Sequence, residues 1–393
     1  MTDSTDSRRC IVIGASHAGS QLALQVRKSG WTGEIVLIGD EPQLPYHRPP
    51  LSKTVMAGDK QPDDILLRPA AMYAGQGITL RLNTRVQALQ VDQKTVQLDT
   101  GEVLTYDKLA LCTGARPIRL PLGDGLDGVC YLRTLNDVIK IRDQLDTVGR
   151  VVIIGAGYIG LEAAAVLRKL GKHVTVLERE DRVLKRVTGP EISRYFTELH
   201  QQHNAEIYCN TEVVAINGQG RVESVTCTDG RRFAADLVII GVGVVPETEL
   251  AEEAGLTIEN GISVDAHGQT SAPDVYAAGD CASHPSELYQ RRVRLESVQN
   301  ANDQSRIVAA NINGGQEVYQ VTPWFWSDQY DIKLQSAGLS NGYDDVQIDG
   351  VPHPGHDDGF VVRYYQQGRL IAADCVSRAR DFMAIKNSLK TRD

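Results

Sequence analysis

Arg150-Val151-Val152-Ile153-Ile154-Gly155-Ala156-Gly157-Tyr158-Ile159-Gly160 is the stretch that decides the fold of this 393-residue chain. Four consecutive branched apolar residues read as a strand buried on both faces, and the glycine pattern after them reads as a tight turn into a helix. A helical pattern follows over residues 161–170, then a second apolar strand over 174–177, ending at Glu178. Strand, glycine turn, helix and parallel strand form one βαβ unit. Its first glycine makes the turn, its second lets a phosphate approach the backbone, and its third packs helix against strand.

Working outward, the same arrangement stands earlier in the chain. Cys10-Ile11-Val12-Ile13 is the strand and Gly14-Ala15-Ser16-His17-Ala18-Gly19 is the turn. A helical pattern runs to about Ser29, and a strand over 35–38 leads to Asp40. Ser16 replaces the middle glycine; it is small and can donate a hydrogen bond. Taken alone, this loop is also explained as a strand–helix packing turn. Two such units, each with an acid at the end of its second strand, point to two dinucleotide sites. The helix N-terminus offers backbone N–H groups and partial positive charge to a pyrophosphate. Glu178, 23 residues after Gly155, stands where a carboxylate meets the adenosine 2′-hydroxyl. It repels a 2′-phosphate and so favours NADH over NADPH, although Arg179 and Arg182 lie nearby and oppose that preference.

Each βαβ unit is followed by a meander pattern. Residues 96–98 and 103–106 flank Asp99-Thr100-Gly101-Glu102, and residues 222–228 and 232–234 flank Asp229-Gly230. Each meander leads to an apolar strand with a glycine end, at Thr113-Gly114 and at Gly241-Val242-Gly243. Farther on, the run Val275-Tyr276-Ala277-Ala278-Gly279-Asp280-Cys281 feeds an apolar strand into a Gly-Asp turn. Alone it suits any strand-end turn; behind two nucleotide loops it suggests a carboxylate against a flavin's ribityl or phosphate groups. From about Trp324 the texture changes to aromatic strands, turn residues and a final helix near 378–390. The expected fold class is α/β, with two Rossmann-like dinucleotide-binding domains and a C-terminal α+β domain. The expected boundaries are 1–115 with 242–320, 116–241, and 321–393.

Composition bounds the function. The chain has 41 Lys and Arg against 50 Asp and Glu, a net charge of −9, with 42% hydrophobic residues. That is ordinary for a soluble protein and argues against nucleic-acid binding and polybasic membrane attachment. No run approaches the roughly 18 apolar residues of a membrane span. The N-terminal MTDSTDSRR lacks the apolar core of a signal peptide. The seven cysteines, Cys10, Cys112, Cys130, Cys209, Cys227, Cys281 and Cys375, include no CxxC or CxxxxC pair. Their number and spread fit a reducing compartment, so a cytoplasmic location is expected. His200 with His203, and His353 with His356, lack further ligands at useful spacing. No metal is expected, and these histidines read as solvated or incidental.

The motifs together resemble a known family, the FAD-dependent, NADH-oxidising reductases that serve small iron–sulfur proteins. These are the putidaredoxin reductases, rubredoxin reductases and ferredoxin reductase components of dioxygenases. The resemblance spans nearly the whole chain. It is carried by the two glycine loops, Pro49-Pro50-Leu51-Ser52-Lys53, Thr113-Gly114-Ala115-Arg116-Pro117, Tyr131-Leu132-Arg133-Thr134-Leu135, Ala278-Gly279-Asp280-Cys281, Arg294-Leu295-Glu296-Ser297-Val298-Gln299-Asn300 and Pro323-Trp324-Phe325-Trp326-Ser327-Asp328. The broader glutathione-reductase-like class shares only the loops and the Gly-Asp motif.

The resemblance implies roles at matching positions. Gly14, Ala18 and Gly19 would hold the FAD pyrophosphate, with Asp40 on the adenosine ribose and Ser16 also in the cofactor-binding set. Lys53 would sit by the flavin ring, Val86 at the adenine end, Arg133 and Asp280 along the FAD, and Val298 near the isoalloxazine. Trp326 would lie at the flavin edge where an electron-accepting protein docks. Arg48, Thr113, Gly114, Gly279 and Glu296 complete the expected FAD set. Gly155, Gly157, Ile159, Gly160, Glu162, Glu178 and Gly243 form the expected NAD set. Val86 and Val298 also suit a plain core, Trp326 suits the core of the third domain, and Lys53 alone suits solvent. Glu162 is expected to pair with Lys53 across the flavin and orient the nicotinamide carboxamide, although a carboxylate there also suits the helix dipole.

Hydride transfer needs no general base or nucleophile, so no catalytic residue is named; the protein's task is positioning. Without a CxxxxC pair, electrons are expected to leave the flavin directly. The expected acceptor is a small acidic [2Fe–2S] ferredoxin or a rubredoxin. Docking one calls for a basic face, with Arg68, Arg306, Lys333, Arg378, Arg380, Lys386, Lys390 and Arg392 as candidates, or for apolar contact near Trp326. A monomer or weak homodimer is expected. Two alternatives are a signalling flavoprotein similar to apoptosis-inducing factor and another pyridine-nucleotide oxidase.

Overall fold

A computed structural model describes residues 6–356 and 358–390. The chain forms two compact units. The first holds residues up to His47, Ile65–Arg116 and Val245–Pro323; the second holds Arg48–Asp64, Pro117–Val244 and Trp324 onward.

In the first unit, the strands Val275–Ala277, Lys108–Leu111, Arg9–Ile13, Glu34–Ile38 and Ile78–Arg81 lie side by side in that order, all parallel. Parallel strands buried on both faces need continuous apolar runs, and Cys10, Ile11, Val12, Leu109, Ala110 and Leu111 are fully buried. The helix His17–Lys28 buries Leu22, Ala23 and Val26 against this sheet and packs along the helix Val298–Ile312, where Ser305 Oγ donates to the Ala18 carbonyl at 2.9 Å. The antiparallel meander Val86–Gln90, Thr95–Leu98 and Val103–Thr105 follows.

The second unit repeats the plan. Glu206–Tyr208, His173–Leu177, Arg150–Ile154, Leu237–Ile240 and Val129–Tyr131 form a second parallel sheet, followed by the meander Val213–Gln219, Arg221–Cys227 and Arg232–Ala234. The α/β class with two Rossmann-like parallel sheets is thus as the sequence reads. Arg133 precedes a helix, Leu135–Leu145, that starts with a reciprocal cap. Thr134 Oγ accepts from the Asp137 N–H at 3.2 Å, and Asp137 accepts from the Thr134 N–H at 2.8 Å.

Residues from Trp324 onward build a five-stranded antiparallel sheet, in the order Trp324–Gln329, Ile332–Gly338, Arg369–Val376, Phe360–Gln366 and Asp345–Gly350, covered by the helix Ala379–Ser388. Contacts group this sheet with residues 117–244 in one compact unit. They also draw residues 48–64 there, whereas the sequence reading placed that segment with residues 1–115. The reason is polar as well as apolar: Ser52 and Lys53 bind Glu162, and Arg48 Nη1 donates to the Arg133 carbonyl at 2.8 Å.

Candidate functional site: two glycine cradles and a buried carboxylate

In the first unit, Gly14 leaves the central strand with φ +108°, and a Cβ there would sit 2.1 Å from the Cys112 carbonyl oxygen. A Cβ on Gly19 would sit 1.9 Å from the Gly14 oxygen. Only glycine lets strand, turn and helix meet this closely. Ser16 takes the N-cap position of the helix. Gly279 comes alongside, its absent Cβ 2.9 Å from the Ala18 Cβ, so the Gly-Asp turn and the first loop share one place. The Gly279 N–H donates to Gln304 Oε1 at 2.8 Å, while the buried Gln304 Nε2 has no protein partner. An unanswered donor beside a glycine cradle and a helix N-terminus suits an anionic ligand. Asp40 is exposed at the end of its strand.

Other first-unit candidates fall into distinct settings. Thr113 Oγ1 donates to the Glu247 carbonyl at 2.6 Å, and the Gly114 carbonyl accepts from the Glu247 N–H at 2.9 Å. Val298 opens its helix half-buried, after the cap Ser297. Arg294 Nη1 donates to the Asp280 carbonyl at 3.1 Å and pairs with Glu296 at 2.7 Å. Val86 lies in the apolar cluster of the meander with Leu89, Val96 and Leu98.

In the second unit, Gly155 has φ +103° and its Cβ would meet the Gly241 oxygen at 2.4 Å; that of Gly160 would meet the Gly155 oxygen at 2.2 Å. Gly157, by contrast, has open space around its missing Cβ. Beside it, Ile159 is 44% exposed on the first turn of the helix Tyr158–Lys169. Glu178 turns into this loop: Oε2 accepts from the Ala156 N–H at 2.6 Å, and Oε1 from the Glu180 N–H at 2.9 Å. Gly243 faces the Arg186 guanidinium, 3.1 Å from its absent Cβ. An open second glycine, a free helix start and an oriented carboxylate fit a dinucleotide.

One turn along the same helix, Glu162 is buried, and three side chains donate to it. Lys53 Nζ donates to Oε2 at 2.5 Å, Ser52 Oγ to Oε2 at 2.6 Å, and Ser327 Oγ to Oε1 at 2.7 Å. Lys53 and Glu162 do pair, but in direct contact and not across a flavin, and a solvated Lys53 is not what the fold gives. Sequence reading missed Ser52 and Ser327. The signal was available in Trp324-Phe325-Trp326-Ser327-Asp328-Gln329: strand side chains alternate, so Phe325, Ser327 and Gln329 share a face. On that face Phe325 stacks on Tyr158 at 4.6 Å, and Ser327 and Gln329 are fully buried. Trp326 is on the opposite face, half-buried, 5.6 Å from Trp324. The Tyr158 ring is half-buried and its hydroxyl is enclosed near Ser336 and Asp374; burial drives this hydroxyl far above its usual range and pushes the Asp374 carboxyl up to about 6. Asp374 accepts from Ser336 Oγ at 2.5 Å and from Tyr364 Oη at 2.7 Å.

The histidine reading needs correction. His200 is not solvated: it is fully buried, with its ring nitrogens 2.8 Å from Gln329 Oε1 and 3.2 Å from the Tyr330 hydroxyl. Its position on the amphipathic helix Pro190–Gln202 aligns it with Ile192, Phe196 and Leu199 on the inner face. His203 is exposed and stacks on Tyr330 at 3.7 Å.

All seven cysteines are free thiols. Burial raises the Cys10, Cys112 and Cys281 thiols, Cys10 to about 12, so none of the three is a poised thiolate. Several candidate docking cations share their charge with acids: Arg306 with Asp303 at 2.8 Å, Lys333 with Asp328 at 3.7 Å, Arg378 with Asp381 at 2.6 Å. Lys386 lies 4.6 Å over the Trp324 ring, and Arg380 and Lys390 are exposed. Arg392 lies outside the described residues.

Comparison with known proteins identifies the family. Residues 8–305 match the model of the pyridine nucleotide-disulphide oxidoreductases, and residues 324–393 match the reductase C-terminal domain. The chain is 44% identical to a ferredoxin–NAD(P)+ reductase of a Sphingomonas species, over 97% of this chain and 92% of the relative. It is 43% identical to putidaredoxin reductase of Pseudomonas putida, again over 97% and 92%. The crystal structure of the covalent putidaredoxin reductase–putidaredoxin complex superposes with a TM-score of 0.94 at 42% identity, covering 98% of this chain and 93% of that one. Two glycine cradles, a Gly-Asp turn and a C-terminal reductase sheet thus have one explanation: the chain belongs to the pyridine nucleotide-disulphide oxidoreductase family.

Proposed function

We propose that this protein oxidises NADH and delivers the electrons, through a bound FAD, to a small iron–sulfur protein of an oxygenase system. FAD supplies the two-electron to one-electron conversion that such a transfer needs. The observation that carries the reading is a glycine cradle in each unit, with a buried Glu162–Lys53 pair in the second and seven cysteines that are all free.

The chain's own residues bind and orient. The loop 14–19, Asp40, Gly279 and Asp280 hold the FAD, with Thr113, Gly114, Arg133, Glu296 and Val298 along its length. The loop 155–160, with Ile159, Glu178 and Gly243, holds the NAD. Glu178 answers the ribose hydroxyls and disfavours a 2′-phosphate. Glu162, fixed by three donors, presents a set charge to the nicotinamide carboxamide, and Lys53 balances it. The acceptor is an acidic [2Fe–2S] ferredoxin, met by exposed Arg380 and Lys390 and by the aromatic strand around Trp326. Seven free thiols and the acidic average suit a cytoplasmic enzyme acting as a monomer or weak homodimer. Among the described residues, no helix is long and apolar enough to cross a membrane.

Anaerobic mixing tests this. NADH is expected to bleach the visible absorbance of the purified yellow protein, and an oxidised [2Fe–2S] ferredoxin to restore it. A colourless protein, or one bleached only by NADPH, would overturn the reading.

A further inference from the structure

The donors around Glu162 do not end at Ser327. Gln329 Nε2 donates to Ser327 Oγ at 3.2 Å, His200 lies 2.8 Å from Gln329 Oε1, and the Tyr330 hydroxyl lies 3.2 Å from His200 Nδ1. Each orientation follows from the one before. A carboxylate only accepts, so Ser327 spends its single proton on Glu162 and must accept from the Gln329 amide. The amide then presents its oxygen to His200, which must carry its proton on Nε2. Burial pulls His200 down to about 4, which keeps the ring neutral and leaves Nδ1 bare to accept from Tyr330.

We propose that His200 and Gln329 are positioning residues, the middle of a one-way chain, Tyr330 to His200 to Gln329 to Ser327, that fixes the Glu162 carboxylate against Lys53 for hydride transfer. This rests on the reductase reading for its consequence but not for its geometry. The chain spans two elements far apart in sequence, the helix Pro190–Gln202 and the strand Trp324–Gln329, and converges on a third, the helix Tyr158–Lys169. Hydrogen bonds aligned head to tail polarise one another, so each strengthens the next. The middle residues Ser327, Gln329 and His200 are all fully buried, so no water competes for them. Other charged or titratable groups face the two ends: Lys53 and Tyr158 at Glu162, and His203, Arg168 and Lys169 around His200 and Tyr330. None of these interrupts the donor order.

Two measurements decide it. Nitrogen-15 NMR of the histidine-labelled, oxidised holoprotein should show His200 as the Nε2–H tautomer, unchanged from pH 8 to pH 5.5. An Nδ1–H tautomer, or titration near pH 6.5, would break the chain whether or not the protein is a reductase. Anaerobic single-turnover kinetics should then show the saturating bleaching rate of Gln329→Leu and His200→Phe falling about tenfold, with the NADH dissociation constant within about twofold. Flavin content should stay at the wild-type level. Ser327→Ala removes one oxygen atom and should give the same split, which decides the matter if the larger changes impair folding. Wild-type rates in Ser327→Ala would overturn the positioning role. Failure of NADH to bleach the wild-type protein would overturn the reductase reading, while the tautomer measurement still judges the chain.

Discussion

The loops 14–19 and 155–160 solve one packing problem twice. In both, the first and last glycines are forced: their Cβ atoms would lie between 1.9 and 2.4 Å from carbonyl oxygens of the same unit. The middle position differs. Ser16 stands there in the first loop, whereas in the second Gly157 faces open space. The acids differ as well, since Asp40 is exposed while Glu178 is held by two backbone N–H groups, that of Ala156 in its own loop and that of Glu180. The outer glycines therefore answer to the fold, and the middle residue and the acid answer to the ligand. That division predicts which changes break the protein and which change only what it binds.

Changes at the outer glycines should have the largest effect. Gly19→Val and Gly160→Val drive a branched side chain into backbone that has nowhere to go, and each should cost more than about 4 kcal/mol. Neither should yield a cooperatively melting protein with bound flavin. A Gly160→Val variant that melts within a few degrees of wild type would show that the cradle yields and that the two loops are not equivalent.

Acid should separate the units next. In the first unit, burial pulls His284 down to about 4. Below its ordinary value near 6.5 the unfolded chain takes up a proton that the native state refuses, so stability falls as pH falls from 6.5 towards 4. The difference is worth about 3 kcal/mol at most. His200 gives the second unit the same liability. Asp374 opposes it: the native state holds a proton up to about pH 6 that the unfolded chain has released, so its contribution rises as pH falls from 6 towards 3.8. The two nearly cancel. Hydrogen exchange at pH 5 against pH 7 should therefore show loss of protection mainly in the strands of the first unit. Replacing Asp374 with Asn should leave the second unit as acid-sensitive as the first.

How much of this was legible in the sequence follows from the kind of interaction involved. The parallel sheets were legible because continuous apolar runs and glycine turns are local signals. Each meander was legible from its turn residues. The Lys53–Glu162 pair came from a family resemblance, since no local pattern links residues so far apart. His200, Ser327 and Gln329 were not legible as a set: each meets its partner only through tertiary packing, and a buried polar chain has no sequence period. The alternation in residues 324–329 marked the buried face, but not what the Ser and Gln on it were buried against. Likewise the segment 48–64 joins the second unit through side chains of Arg48, Ser52 and Lys53, which composition does not reveal.

The middle position tests the comparison more gently. Gly157→Ser copies the first loop into the second. With open space at the site, stability should stay within about 1 kcal/mol of wild type. The added hydroxymethyl occupies room that a pyrophosphate needs, so the NADH dissociation constant should rise about tenfold, equivalent to about 1.4 kcal/mol. The reciprocal Ser16→Gly should leave flavin content unchanged. Equal NADH affinity in Gly157→Ser, measured by titration, would show that the second glycine is not where the phosphate approaches.

The smallest expected effect is at the acid, and it asks what Glu178 is for. Its Oε2 accepts from the Ala156 N–H at 2.6 Å and its Oε1 from the Glu180 N–H at 2.9 Å, so the carboxylate is oriented before any ribose arrives. Glu178→Gln keeps the shape and one acceptor oxygen but loses the charge and replaces the other acceptor with a donor. That donor meets a backbone N–H or turns toward the ligand, and either arrangement weakens the loop. The NADH dissociation constant should rise about fivefold, near 1 kcal/mol. The NADPH constant should improve, because the repulsion of a 2′-phosphate is gone and the exposed Arg179 remains nearby. The ratio of the two constants separates the roles. A parallel weakening of both would mean that Glu178 only braces the loop, as a fold residue like the outer glycines. Opposite shifts would make it a ligand residue, which is where the comparison of the two loops puts it.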